Sequence, residues 1–210
     1  LKPPAAGDFG LCEHEGEQYL CHGDRRLINT TELKMRGQHN HANALAALAL
    51  GFSIGLSMRA MLDVLREFTG LEHRTQWVAE INGVNWFNDS KGTNVGATLA
   101  AINGLPGQHV LIAGGQGKGG DFKPLRDVAR KRLRAVVLIG EDAEKIAQAI
   151  EQAVPVSFAA DMKQAVGMAS AMAEPGDNVL LSPACASFDM YRGFAERGEA
   201  FMEAVRELEA

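Results

Sequence analysis

The sequence predicts an α/β chain whose C-terminal part forms a mostly parallel sheet covered on both faces, preceded by a smaller mixed segment. Three observations carry this prediction. Short uninterrupted apolar runs alternate with amphipathic stretches from His109 onward, as strands buried beneath helices on both sides require. The runs that end at Phe87, Ala113 and Leu181 are followed by loops carrying NDSKGTN, GGQGKGGD and SPACAS, and ligands of such folds sit at the carboxyl ends of strands. Before residue 70 the pattern is different, with alternating runs followed by two helical stretches.

In chain order, Phe9 to Cys12, Gln18 to Cys21 and Arg26 to Asn29 alternate in polarity around Glu15-Gly16-Glu17, which predicts β-hairpin structure. An Ala/Leu-rich helix follows from His39 to Leu50, and a second from Ser57 to Phe68 with Ser57 as N-cap. Thr69-Gly70 closes it, since glycine suits a helix C-terminus. A boundary is expected there, dividing 1–70 from 71–210. Trp77 to Phe87 reads as extended and Val95 to Ile102 as helical. The alternation continues with a strand at His109 to Ala113, a helix at Pro124 to Leu133, a strand at Ala135 to Ile139 and a helix at Asp142 to Gln152. Val154 to Phe158, Met162 to Ala173, Asn178 to Leu181 and Asp189 to Leu208 complete the cycle as strand, helix, strand and helix.

Bulk properties narrow the function classes. Of 210 residues 46% are hydrophobic, enough for a core. No apolar run approaches the ~18 residues of a membrane span, and no charged-then-apolar leader is visible. The formal charge of −5 comes from interspersed acids and bases, which argues against bulk nucleic-acid binding. Cys12, Cys21 and Cys185 are too few and too scattered for a disulfide framework, pointing to a reducing compartment.

The chemistry concentrates in three stretches. Asn88-Asp89-Ser90-Lys91-Gly92-Thr93-Asn94 and His73-Arg74 place an acid, two cations and short hydrogen-bonding groups in loops, as a multiply charged phosphate compound requires. Asp89 is a candidate for hydrated Mg²⁺, because hard cations prefer carboxylate oxygen. Arg74 and Lys91 would neutralise phosphate oxygens, one as a planar fork and one as a point charge. Asn40 and Asn43, three apart on a helix, project from one face.

Other motifs are weaker. Gly114-Gly115-Gln116-Gly117-Lys118-Gly119-Gly120 fails the dinucleotide-binding spacing, and no acidic residue ends the following strand. It also lacks the hydroxyl residue that a phosphate loop carries after its lysine. Lys118 instead offers a cation on a flexible loop. Cys12-x-His14 and Cys21-His22 do not match a common zinc spacing, and His39 and His41 diverge on a helix. No Gly-x-Ser-x-Gly surrounds Ser187, so a nucleophile elbow is not indicated.

Gly37-Gln38-His39-Asn40-x-x-Asn43, Leu71-Glu72-His73-Arg74 and the stretch from Asn88 to Asn94 resemble the ATP-dependent Mur ligases, which build the peptide stem of bacterial peptidoglycan. Leu181-Ser182-Pro183-Ala184-Cys185-Ala186-Ser187-Phe188-Asp189 looks like the branch that adds D-glutamate, as does Phe194-Ala195-Glu196-Arg197-Gly198-Glu199-Ala200-Phe201 downstream. The similarity runs over nearly the whole chain and departs at Gly92, where Ala is expected; the missing methyl should only loosen the loop.

The resemblance implies a C-terminal Rossmann-like domain preceded by the tail of an α/β ATPase domain, in a cytoplasmic bacterial enzyme. Residues 1–70 would then be the end of the ATP-binding domain and 71–210 the amino-acid-binding domain. The N-terminal and central domains of the same enzyme would be the chain's partners, with UDP-N-acetylmuramoyl-L-alanine and D-glutamate as substrates and ATP with Mg²⁺ as cofactors. ATP would be held by Asn40, Asn43, Arg74, Asp89 and Lys91, with His39 and His73 behind them and adenine at the seam between the two pieces. D-glutamate would be held by Thr93, Lys118, Ser187, Phe188 and Phe194, aided by a helix N-terminus near Asp189. No residue of this chain stands out as catalytic, and none besides the Asp89 candidate as a holder of metal. Two other readings remain open: a ligase for another amino acid, and a non-catalytic nucleotide-binding module with the same fold.

Overall fold

The computed structural model describes residues 1–35, 37–150 and 153–208 and divides into two compact units, Leu1–Gly70 and Leu71–Ala210. In the first unit β1 (Phe9–His14), β2 (Glu17–His22) and β3 (Arg25–Asn29) form an antiparallel sheet in that order. Asn29 caps a single 3-10 turn, Thr30–Glu32, in a reciprocal capping box with Glu32. The helices α1 (Gln38–Ser53) and α2 (Met58–Glu67) follow. Ser57 is the N-cap of α2 as expected, its side chain accepting from Ala60 N. Leu20, Ile28, Leu45, Leu48 and Leu65 lie in this unit's own core. The three cysteines were expected to form no disulfide framework, and the structure joins two of them, Cys12 and Cys21, by a single disulfide across β1 and β2. Sequence separation hides this, because the hairpin folds the two positions onto neighbouring strands.

The second unit is a six-stranded sheet of order β4-β5-β9-β6-β7-β8. Its strands are β4 (Gln76–Ile81), β5 (Val84–Asn88), β6 (His109–Gly114), β7 (Leu133–Ile139), β8 (Val156–Phe158) and β9 (Asn178–Leu181). Every pairing is parallel except β4 with β5. Alternate residues face opposite layers. Leu111, Ala113, Val136 and Leu138 pack beneath α3 (Val95–Gly104), α4 (Leu125–Arg132) and α5 (Ala143–Ile150). Val110, Ile112, Val137 and Ile139 pack beneath α6 (Met162–Met172) and α7 (Phe194–Glu207). This is why β6 reads as an unbroken apolar run: both of its faces are interior. Fully burying one such side chain contributes roughly 1.5–3 kcal/mol.

Three expected elements change. Trp77 to Phe87 is a hairpin rather than one extended segment, because Asn82 (φ 52°) and Gly83 (φ 77°) form a two-residue turn of the type Asn-Gly favours. The last helix begins at Phe194 and not near Asp189. Residues 188–190 instead form a turn in which the Ser187 carbonyl accepts from Met190 N and Tyr191 N, and Gly193 is extended. The helix expected at Asp142 to Gln152 spans Ala143–Ile150, and Gln152 lies outside the described residues.

Candidate functional site

Because β5, β9 and β6 are adjacent and parallel, the loops that leave their carboxyl ends emerge side by side. They are residues 88–94 after β5, 182–187 after β9 and 114–120 after β6. β9 returns between β5 and β6, so the chain reverses direction across the sheet here, which is where such folds open a crevice.

Asp89 anchors the first loop. It is 7% exposed, its Oδ1 accepts from Thr75 N at 3.1 Å and its Oδ2 from Ser182 Oγ at 2.7 Å. Burial raises its pKa to about 6, against the opposing pull of these hydrogen bonds and of the Arg74 charge. Both carboxylate oxygens are therefore engaged within the protein, so a hydrated Mg²⁺ would have to share them with Thr75 and Ser182. Thr98 Oγ1 donates to the Ser182 carbonyl at 3.2 Å and ties α3 into the same cluster. At the other end of the loop Asn94 caps α3 by accepting from Ala97 N at 2.9 Å.

Lys91 and Thr93 project from this loop, each half-buried. Lys91 Nζ lies 3.9 Å from the centre of the Phe194 ring, a distance at which a cation is attracted to the ring face. Lys91 N also donates to the His73 carbonyl at 3.0 Å. His73 is buried, at positive φ, with Nδ1 3.0 Å from Asn88 Nδ2 and its ring edge-on to Phe194. Arg74 is exposed beside it.

The loop after β6 carries Lys118. Gly120 N donates to Gly117 O at 2.9 Å, with Lys118 (φ 51°) and Gly119 (φ 74°) between them, a type I′ turn. Gln116 and Ala186 exchange backbone hydrogen bonds of 2.9 Å in both directions, so this loop is fastened to the Ser187 loop and is not the free segment expected. Ser187 is buried, Phe188 is 64% exposed, and Lys118 Nζ lies 5.5 Å from the Phe188 ring. The later start of α7 removes the helix dipole expected near Asp189, and Ser187 acts as no helix cap. The helix N-terminus at the site belongs instead to Phe194.

One residue that sequence reasoning left unassigned unites these loops. Arg197, on α7, is 1% exposed. Its Nε donates to Ser90 Oγ at 3.0 Å, its Nη2 to Ser90 O at 2.9 Å, and both terminal nitrogens to Cys185 O at 3.1 Å. Ser90 Oγ in turn donates to Phe194 O at 2.7 Å. A buried guanidinium serving only neutral acceptors is pushed down to about 10 by desolvation. Its sequence signal was a lone Arg between apolar helix positions, directly before Gly198. Thr75 and Ser182, equally unassigned, carried no signal beyond being polar.

Asn40 and Asn43 belong to the first unit, where Asn43 Nδ2 donates to Asn40 Oδ1 at 3.4 Å in the first turns of α1. His39 stands next to them, half-buried, its pKa lowered by that burial and then by His41. Among the described residues no three His, Cys, Asp or Glu side chains form a metal-binding group, and no helix is long and apolar enough to cross a membrane.

A family model described as "Mur ligase, glutamate ligase domain" matches residues 73–185. The chain belongs to the Mur ligase family. It is 54% identical over 210 residues to the UDP-N-acetylmuramoylalanine–D-glutamate ligase of Nitrosococcus oceani, covering 99% of this chain and 46% of that protein. It is 54% identical over 212 residues to the same-named protein of Pseudomonas fluorescens strain Pf0-1, covering 99% and 47%. The chain thus spans about half the length of the curated relatives it matches. In fold it is similar to the Thermotoga maritima MurF ligase in complex with ADP, with TM-score 0.65 at 16% identity over 96% of this chain and 47% of that one. The Mycobacterium tuberculosis folylpolyglutamate synthase complexed with ADP gives 0.64 at 16% identity, over 95% and 46%.

Gly92, where the resemblance led to an expected Ala, has a structural role beyond a looser loop. A Cβ at Gly92 would lie 2.5 Å from Asp89 Oδ2 and 2.7 Å from Ser182 Oγ. The glycine leaves room for the hydrogen bond between those two groups, and a methyl there would have to displace it.

Proposed function

We propose that this chain is the C-terminal portion of a cytoplasmic ATP-dependent ligase that adds D-glutamate to UDP-N-acetylmuramoyl-L-alanine. The observation that supports it most is the convergence of Lys91, Thr93, Lys118, Ser187 and Phe188 on adjoining loops at the carboxyl ends of β5, β9 and β6. The names of relatives 54% identical supply the substrates. A dianionic amino acid needs cations and donors at both ends. Lys118 and Thr93 would take its α-carboxylate, and Ser187 and the Phe188–Phe194 neighbourhood its side-chain carboxylate.

ATP would lie toward Arg74, Asp89 and Lys91 of the second unit. Mg²⁺ enters this reading as the counter-ion of ATP. Asp89, whose two oxygens already accept from Thr75 and Ser182, would have to share them with the ion, and no step below depends on the metal. The substrate carboxylate attacks the γ-phosphorus and ADP leaves, giving an acyl phosphate. The amine of D-glutamate then attacks the acyl carbon through a tetrahedral intermediate, and inorganic phosphate leaves as the amide forms. Neither step calls for a protein nucleophile, so the residues of this chain act by orienting substrates and neutralising charge.

The test is phosphate release by the full-length enzyme with ATP, Mg²⁺ and UDP-N-acetylmuramoyl-L-alanine, offering D-glutamate, L-glutamate or diaminopimelate. Turnover with D-glutamate alone is expected. Turnover with a different acceptor would discard the amino-acid pocket, and silence with all three would discard the ligase reading.

A further inference from the structure

Asp142 stands directly before α5, on the loop that leaves β7. A carboxylate at such a place ordinarily accepts from the first backbone amides of its own helix. Here it reaches back: Asp142 Oδ2 accepts from Gly117 N at 2.6 Å. Its Oδ1 pairs with Lys145 Nζ at 2.5 Å, and its own N–H donates to Gly115 O at 3.0 Å. The residue is 4% exposed. It therefore grips the glycine loop on both sides of Gln116, one residue before Lys118.

Lys118 requires such a grip. Its φ of 51° lies in the left-handed region, which a side chain with a Cβ adopts at a cost of about 1–2 kcal/mol. That conformation persists only when its surroundings over-determine it. The Gln116–Ala186 pair fixes the loop toward the Ser187 side, and Asp142 fixes it toward β7. Space is tight as well: a Cβ on Gly117 would meet Asp142 Oδ2 at 2.9 Å and Phe122 Cζ at 2.6 Å.

We infer that Asp142 is a positioning residue that holds the Gly117–Gly120 turn so that Lys118 presents its ammonium group to the carboxylate of the incoming amino acid. This rests on the reading of Lys118 as a D-glutamate ligand. Asp142 touches no substrate; it acts through the Gly117 amide.

The experiment measures initial rates of phosphate release by the full-length enzyme carrying Asp142→Ala, Asp142→Asn, Lys118→Ala or both alanines. Asp142→Ala should raise KM for D-glutamate about tenfold or more, while KM for ATP stays within about twofold. Asp142→Asn should recover most of the loss, because an amide oxygen still accepts from Gly117 N–H. In the Lys118→Ala background, Asp142→Ala should add less than about twofold, since the group it positions is gone. If Asp142→Ala folds poorly, Asp142→Glu keeps the charge, displaces Gly117 by one methylene and should show the same split in KM.

If Lys118→Ala leaves KM for D-glutamate unchanged, the reading of Lys118 falls and this inference with it. If Lys118→Ala raises KM but the Asp142 variants do not, or the two effects multiply in the double variant, the inference alone is overturned.

Discussion

Asp89 shows how one side chain couples site geometry to pH. Burial favours its protonated form, so the folded chain binds this proton more tightly than the unfolded chain does. The stability tied to it is fully present below pH 3.8 and is lost as pH rises through about 6. At ~1.4 kcal/mol per pH unit this is about 3 kcal/mol. A carboxyl-carbon NMR titration should give a midpoint near 6 for Asp89, and a midpoint near 4 would overturn the account. Asp89→Asn should flatten unfolding free energy between those pH values. The acid was singled out in the sequence, but its partners Thr75 and Ser182 were not. They come from segments far apart in the chain, and a short motif records only its own side chains. Arg197 was unassigned for the same reason.

At the scale of elements, the register of the parallel strands makes the loops converge, and glycine decides where strands can turn. Gly114 ends β6 at φ 120°, and a Cβ there would lie 1.9 Å from the Ile139 carbonyl oxygen on β7. Gly114→Ala should leave the second unit without cooperative unfolding in urea. Gly167, exposed in α6 with open space where a Cβ would stand, is the opposite case. Gly167→Ala should stabilise the chain by roughly 0.5–1 kcal/mol, because alanine loses less backbone entropy in a helix. A stable Gly114→Ala protein, or a destabilised Gly167→Ala protein, would contradict this packing. Strands and helices of the parallel region were readable because double burial leaves an unambiguous apolar run. The Asn82-Gly83 hairpin and the late start of α7 were less so, since each depends on backbone conformation in one short turn.

For the whole molecule, the apolar interior is partitioned. The two clusters that cover the six-stranded sheet draw only on residues after Leu71, and the cluster of the first unit only on residues before Gly70. Residues 71–210 expressed alone should therefore unfold in a single cooperative transition; a gradual, uncooperative loss of structure would refute their independence. The chain of 210 residues spans about half of its relatives, and by itself it should release no phosphate in an ATP- and D-glutamate-dependent manner. Sustained turnover by residues 1–210 would sink that expectation.

The order of apolar runs was enough to determine the parallel α/β architecture, and the resemblance of the loop motifs was enough to give the family, because each is read from short stretches of neighbouring residues. Only the tertiary structure decided which loops touch. Strand order puts β9 between β5 and β6, and with it come the Asp89–Ser182 bond, the Gln116–Ala186 pair and the buried Arg197 clamp. Those contacts join residues dozens of positions apart, and hydrogen bonds at that separation are set by how strands stack in space rather than by any neighbouring residue.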